Sequence, residues 1–152
     1  MVIMQKIFNT DFEVSMRLLI LIDSIGFLNE DEIAYIDFLS IYSKTFNLGD
    51  DNLNGVWSFP VNELSIQRNV TKSALKSLVL NSMIKITFDK SKGYIYSVTN
   101  KGYTYVRNIS DSYSKQYQAN VHRIKSSINP INITKLKELA TQRRDDLWPT
   151  LD

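Results

Sequence analysis

Cysteine is absent from the 152 residues. That excludes disulfides and thiolate metal sites. Histidine occurs once, as His122, so no imidazole cluster of metal-binding spacing can form. A Ser-His-Asp relay would have to use His122, and no nucleophile motif accompanies it. With only five glycines, the chain has no phosphate loop and no dinucleotide fingerprint. The acidic pairs Asp50-Asp51 and Asp145-Asp146 sit in turn or terminal settings and do not converge. Long apolar runs are missing too: Leu18–Ile22 is far too short to span a bilayer. Met1–Phe8 lacks the charged start, apolar core and cleavage site of a signal peptide. The expectation is a cytoplasmic protein that is not an enzyme, with no catalytic, cofactor or metal residues and no membrane partner.

What is present is ordinary globular material, 43% hydrophobic and 22% charged. The net charge of +2 conceals an asymmetry. Residues 1–59 carry three Lys/Arg against nine Asp/Glu; residues 60–130 carry eleven against three. The basic segment suits phosphate or an acidic partner, or else a surface neutralised by the acidic N-terminal part of the same fold.

Asn9-Thr10 before Asp11 and Glu13 predicts a helix capped by Thr10 and stopped at Gly26. Its apolar girth marks it as central, and Arg17 and Asp23 are its strong charges beyond the first turn. Asn29 caps a second helix, running to about Phe46. Asn47–Pro60 reads as a loop ending in Trp57 and Phe59.

Val61–Thr99 reads as helix, turn, helix and hairpin. The pieces are Val61–Arg68, a turn at Asn69-Val70, Thr71 to about Met83, then strands Ile84–Asp89 and Tyr94–Thr99 around Lys90–Gly93. That is the pattern of a winged helix. Its candidate DNA surface is Arg68, Asn69, Lys72, Ser73 and Lys76 (with Ser77), plus Lys90 and Lys92 on the wing. These side chains suit phosphate contact, and only Arg68 and Asn69 are equipped for base edges, so any binding of double-stranded DNA is expected to be non-specific.

Asn100–Ile128 carries an apolar stripe through Tyr103, Val106, Tyr113, Tyr117, Val121, Ile124 and Ile128. A break near residue 110 is allowed by Asn108, Ser110 and Ser112. The stripe either packs on the first two helices or pairs with another chain. Asn129-Pro130 ends it. A last helix, Asn132 to about Asp146, carries Leu136 and Leu139 and leads to Leu147 and Trp148; it is a clasp on its own domain or a docking peptide. Candidate partner-binding residues are therefore Trp57, Tyr113, Tyr117, Leu136, Leu139, Leu147 and Trp148. The predicted class is mainly α with a small β-hairpin (α+β), with a winged-helix domain over 1–128 and a helical extension over 129–152.

The chain resembles the middle component of three-component ABC systems, including the small third subunit of Lamassu-type anti-phage systems. The similarity lies in Phe8–Thr10 with Glu13–Leu19, Ile33–Ser43, Asn52–Gly55, Ala74–Asn81 and Thr99–Gly102. Where the family carries His-Gly in the loop, this chain has Asn54-Gly55. The resemblance implies a non-catalytic accessory subunit that docks on an SMC-like ATPase beside an effector, often a nuclease. The alternative is a stand-alone winged-helix transcription regulator, dimeric through 100–128.

Overall fold

In the computed structural model, residues 10–42 and 60–147 are described, with side chains over 10–42 and 67–140. The elements are α1 (Asp11–Ile25), β1 (Leu28–Asn29), α2 (Glu30–Ile41), α3 (Pro60–Leu80), β2 (Ile84–Asp89), β3 (Gly93–Val98), α4 (Asn100–Arg107), α5 (Ser112–Ser127) and α6 (Ile133–Leu147). The α+β expectation holds, as a mostly helical chain with a small antiparallel sheet.

Local chemistry sets the helix ends. Thr10 Oγ1 accepts from the Glu13 N–H at 3.2 Å, and Gly26 stops α1 at φ 106°, a conformation that costs glycine little. Asn29 and Glu32 form a complete capping box at the start of α2. α1 buries Val14 and Leu18–Ile22 on nearly all sides, as its apolar girth requires. It packs against α3, α5, α2, α4 and β3. α2 ends at Ile41 with Tyr42 as its C-cap, short of the expected Phe46; residues 43–46 and the loop with Trp57 and Phe59 lie outside the described residues.

One expectation fails clearly. There is no turn at Asn69-Val70: Pro60–Leu80 is a single helix. Gln67, Thr71, Ala74, Leu75 and Leu78 are all buried. They follow steps of three and four, so one buried stripe runs straight through the supposed turn. Packing of that stripe outweighs the modest helix propensity of Asn, Val and Thr. The helix ends earlier than expected. Met83 N–H donates to Leu78 O at 2.9 Å and Ser82 N–H to Val79 O at 3.0 Å, a Schellman pattern. Ser82 takes the left-handed position at φ 60°.

β2 and β3 form the expected hairpin, with Gly93 at φ 82°. The short β1 pairs with the other side of β3, giving the order β1-β3-β2. β2 is thus an edge strand. After Thr99 caps α4, Gly102 packs against the hairpin base. A Cβ there would stand 2.1 Å from the Met83 carbonyl oxygen and 2.7 Å from Val98 Cγ2, so close an approach admits no side chain.

The break foreseen near residue 110 is present. α4 ends at Arg107, and Asp111 caps α5 by accepting from Ser114 N–H at 2.9 Å. α5 lies against α1 and α2, burying Tyr117, Val121 and Ile124. α6 packs on α2, with Leu136 and Ala140 buried. Over its first two turns, then, the last helix is a clasp on its own fold. No helix among the described residues is long and apolar enough to cross a membrane.

Candidate functional site

Two arrangements stand out: a polar knot at the centre and a basic surface along α3 and the hairpin.

The knot gathers on Asp37, a fully buried carboxylate on α2. Its Oδ1 accepts from Arg17 Nε at 3.0 Å and from the Tyr117 hydroxyl at 2.6 Å. Its Oδ2 accepts from Arg17 Nη2 at 3.2 Å and from Gln67 Nε2. The donors come from α1, α3 and α5, and they occupy both oxygens. Arg17 also hydrogen-bonds Tyr113. Nearby, Asn120 Nδ2 donates to the Ser40 carbonyl at 2.9 Å, holding α5 to α2 a second time. Burial pulls down the pKa of Arg17, but the charge and hydrogen bonds of Asp37 outweigh it and the net direction is up. Burial pushes the Tyr117 phenol well above its ordinary value, and the Asp37 charge adds to this. Burial likewise takes Tyr113 up to about 12, against the opposing charge of Arg17. The knot therefore keeps a charged Arg17 and neutral tyrosines, and it fastens four helices without opening to solvent.

Sequence reasoning missed this knot as a unit. Its signal was the presence of Arg17 and Asp37 in otherwise apolar stretches. Tyr117 and Leu136, expected on a partner surface, both lie inside the chain's own core at 0% exposure. Tyr113 and Leu139 are half-buried. Trp57 and Trp148 lie outside the described residues, and of Leu147 only the backbone is described.

The candidate DNA residues divide in two. Arg68 is paired with Asp31 at 2.5 Å. Lys92 Nζ lies 2.7 Å from Glu32 Oε1 and donates to the Phe27 carbonyl at 3.1 Å, so it clips the hairpin tip to the start of α2. Arg107 pairs with Asp23. The acidic N-terminal part thus neutralises part of the basic segment. Asn69, Lys72, Ser73, Lys76 and Lys90 are exposed, and no ion pair among the described residues uses these three lysines. Lys72 and Lys76 are one helical turn apart on α3 and share a face.

Apolar surface is also exposed. A groove of about 370 Å³ opens between α1, α3 and α4, bordered by Phe12, Met16, Leu78, Met83 and Tyr105. On the hairpin, Ile86, Phe88 and Tyr94 stand 45%, 68% and 66% exposed.

The model of the family described as ABC-three component (ABC-3C) system Middle Component 2 matches residues 7–148. The chain belongs to that family. No curated protein and no solved structure matches it. As a middle component of a three-component system, it has partner components. The match takes in the knot, the basic surface and the hairpin alike. The middle component thus presents exposed lysines and exposed apolar side chains on a frame locked by buried polar contacts.

Proposed function

We propose that this middle component is a non-catalytic accessory subunit of an SMC-like ATPase complex in bacterial defence against phage or plasmids. It docks on the ATPase, beside an effector nuclease, and touches DNA backbone through Lys72, Ser73, Lys76 and Lys90. Membership of the middle-component family is the observation that carries the reading.

The connectivity supports it. Helix, short strand, two helices and a hairpin, with the short strand beside β3, fit a winged helix in which α3 carries the lysines. Of the exposed candidates on α3, Lys72, Ser73 and Lys76 match phosphate oxygens better than base edges, and Asn69 alone is equipped for a base edge. The rival reading, a homodimeric regulator joined through 100–128, has less apolar surface to use, because Tyr117, Val121, Ile124 and Ile128 lie in the chain's own core.

Co-expression with the products of the adjacent genes tests the proposal. An affinity tag on this chain should bring down a large coiled-coil ATPase in defined stoichiometry. Isolation of the chain alone, with every neighbouring product soluble and left behind, contradicts it.

A further inference from the structure

Beyond Ile84, β2 is exposed on both faces. Ile86 and Phe88 share one face with Tyr94 and Tyr96 across the ladder, and Lys85 and Thr87 share the other with Ser97 and Ile95. On that second face Ile95 and Ser97 are buried while Lys85 and Thr87 are open. The sheet therefore meets the helices through β3 and the Ile84 end of β2, and the rest of β2 overhangs the fold. Among the described residues it is an edge strand, and it turns alternate N–H and C=O groups outward without a ladder partner there.

The exposed charges along this edge are lysines, and Asp89 at the end of the strand is only half-exposed. Lys85 and Lys90 are exposed and enter none of the ion pairs among the described residues. The nearest acid, Asp89, is occupied: its Oδ1 accepts from Ser91 N–H, Ser91 Oγ and Lys92 N–H at 2.8, 2.6 and 3.0 Å. A second copy of this chain would bring the same lysines to the junction, and like charges on adjoining strands oppose pairing. An acidic strand satisfies them.

Resting on the proposed accessory role, we infer that β2 is the docking edge for an extended segment of a partner component. That segment adds as a fourth strand, sets apolar side chains against Ile86, Phe88 and Tyr94, and sets a carboxylate against Lys85. Main-chain hydrogen bonds supply affinity in such additions and alternate side chains supply the choice of partner. Phe88 and Tyr94 already stack edge to face, with centroids 5.5 Å apart at 73°, so the pair offers an apolar ridge rather than two parallel plates for bases.

Hydrogen exchange on the complex with co-expressed partner components, against the full chain alone, tests this. The amides of residues 85–88 should slow by about tenfold or more in the complex. The double variant Ile86→Lys, Phe88→Lys changes only exposed side chains. It should weaken capture of the purified partner by about tenfold or more, with an unchanged circular dichroism spectrum. A complex that forms with these amides exchanging as fast as in the free chain overturns the edge assignment alone. No complex at all overturns both it and the accessory role. Protection of the same amides by a 30-nucleotide single strand in the isolated chain, without protection by the partner, makes the hairpin a nucleic-acid platform and overturns the proposal.

Discussion

Arg17 Nε and Asp37 Oδ1 stand 3.0 Å apart, and the two side chains are 2% and 0% exposed. Breaking a buried pair strands a charge that the fold cannot solvate. Asp37→Ala leaves Arg17 without its carboxylate and deprives Tyr117 and Gln67 of their acceptor. It should cost about 3–5 kcal/mol, read as a fall in the urea midpoint with little change in slope. A loss below about 1 kcal/mol would mean that the knot is not what holds α1, α2, α3 and α5 together.

The tyrosines of the knot give the fold a pH signature. The folded-state pKa of Tyr117 lies well above the ordinary phenol value of 10.0, so its phenol stays protonated where the unfolded chain releases the proton. Its contribution is fully present below pH 10 and is lost as pH rises toward the folded pKa. The slope is about 1.4 kcal/mol per pH unit for one such group. Tyr113, taken up to about 12, steepens the loss between pH 10 and 12. Tyr117→Phe should be less stable at pH 7, because Asp37 loses a donor, yet its stability should fall less steeply above pH 10. Equal slopes for the two proteins in denaturant titrations across that range would contradict the burial of the phenol.

Ser82 occupies a left-handed position at φ 60° that natural helix ends reserve for glycine. Ser82→Gly should relieve about 1 kcal/mol of backbone strain. The gain is reduced by the greater freedom of glycine in the unfolded chain. Thermal unfolding should show a rise of a few degrees. A fall would mean that the serine side chain contributes more than its backbone conformation costs.

These contacts also show what could be read in advance. Caps at Thr10, Asn29 and Thr99, and the turn glycine at Gly93, act over three or four residues, so both ends of α1, the starts of α2 and α4 and the hairpin were legible, whereas the Asp111 cap of α5 was not. Asn69-Val70 misled because asparagine favours turns, whereas the deciding fact was distant: Gln67 and Thr71 face a core built from α1 and α2. The knot was illegible for the same reason. Asp37 meets partners 20, 30 and 80 residues away in sequence, and no local pattern joins them. Lys92 and Arg68 looked like free basic groups until the fold brought Glu32 and Asp31 to them.

That division of the lysines changes the expected DNA surface. Lys72→Glu, Lys76→Glu and Lys90→Glu together should weaken duplex binding severely, and losing the three proposed phosphate contacts should lower the salt slope of the remaining binding by about 2.7. Lys92→Glu should act differently. It sets a second carboxylate against Glu32 and loosens the hairpin tip, lowering stability while the three free lysines keep their phosphate contacts. Electrophoretic titration over a range of salt, beside thermal unfolding, separates the two effects. Duplex affinity unchanged in the triple variant would place the DNA surface elsewhere.

The most direct measurement is the molar mass of this chain by light scattering, alone and after co-expression with its partner components. The expectation is a monomer alone, since Tyr117, Val121, Ile124 and Ile128 of the 100–128 stripe lie in the chain's own core, together with a heteromeric complex of fixed stoichiometry with the partners. A stable homodimer that takes up no partner component and binds one preferred duplex sequence would contradict it.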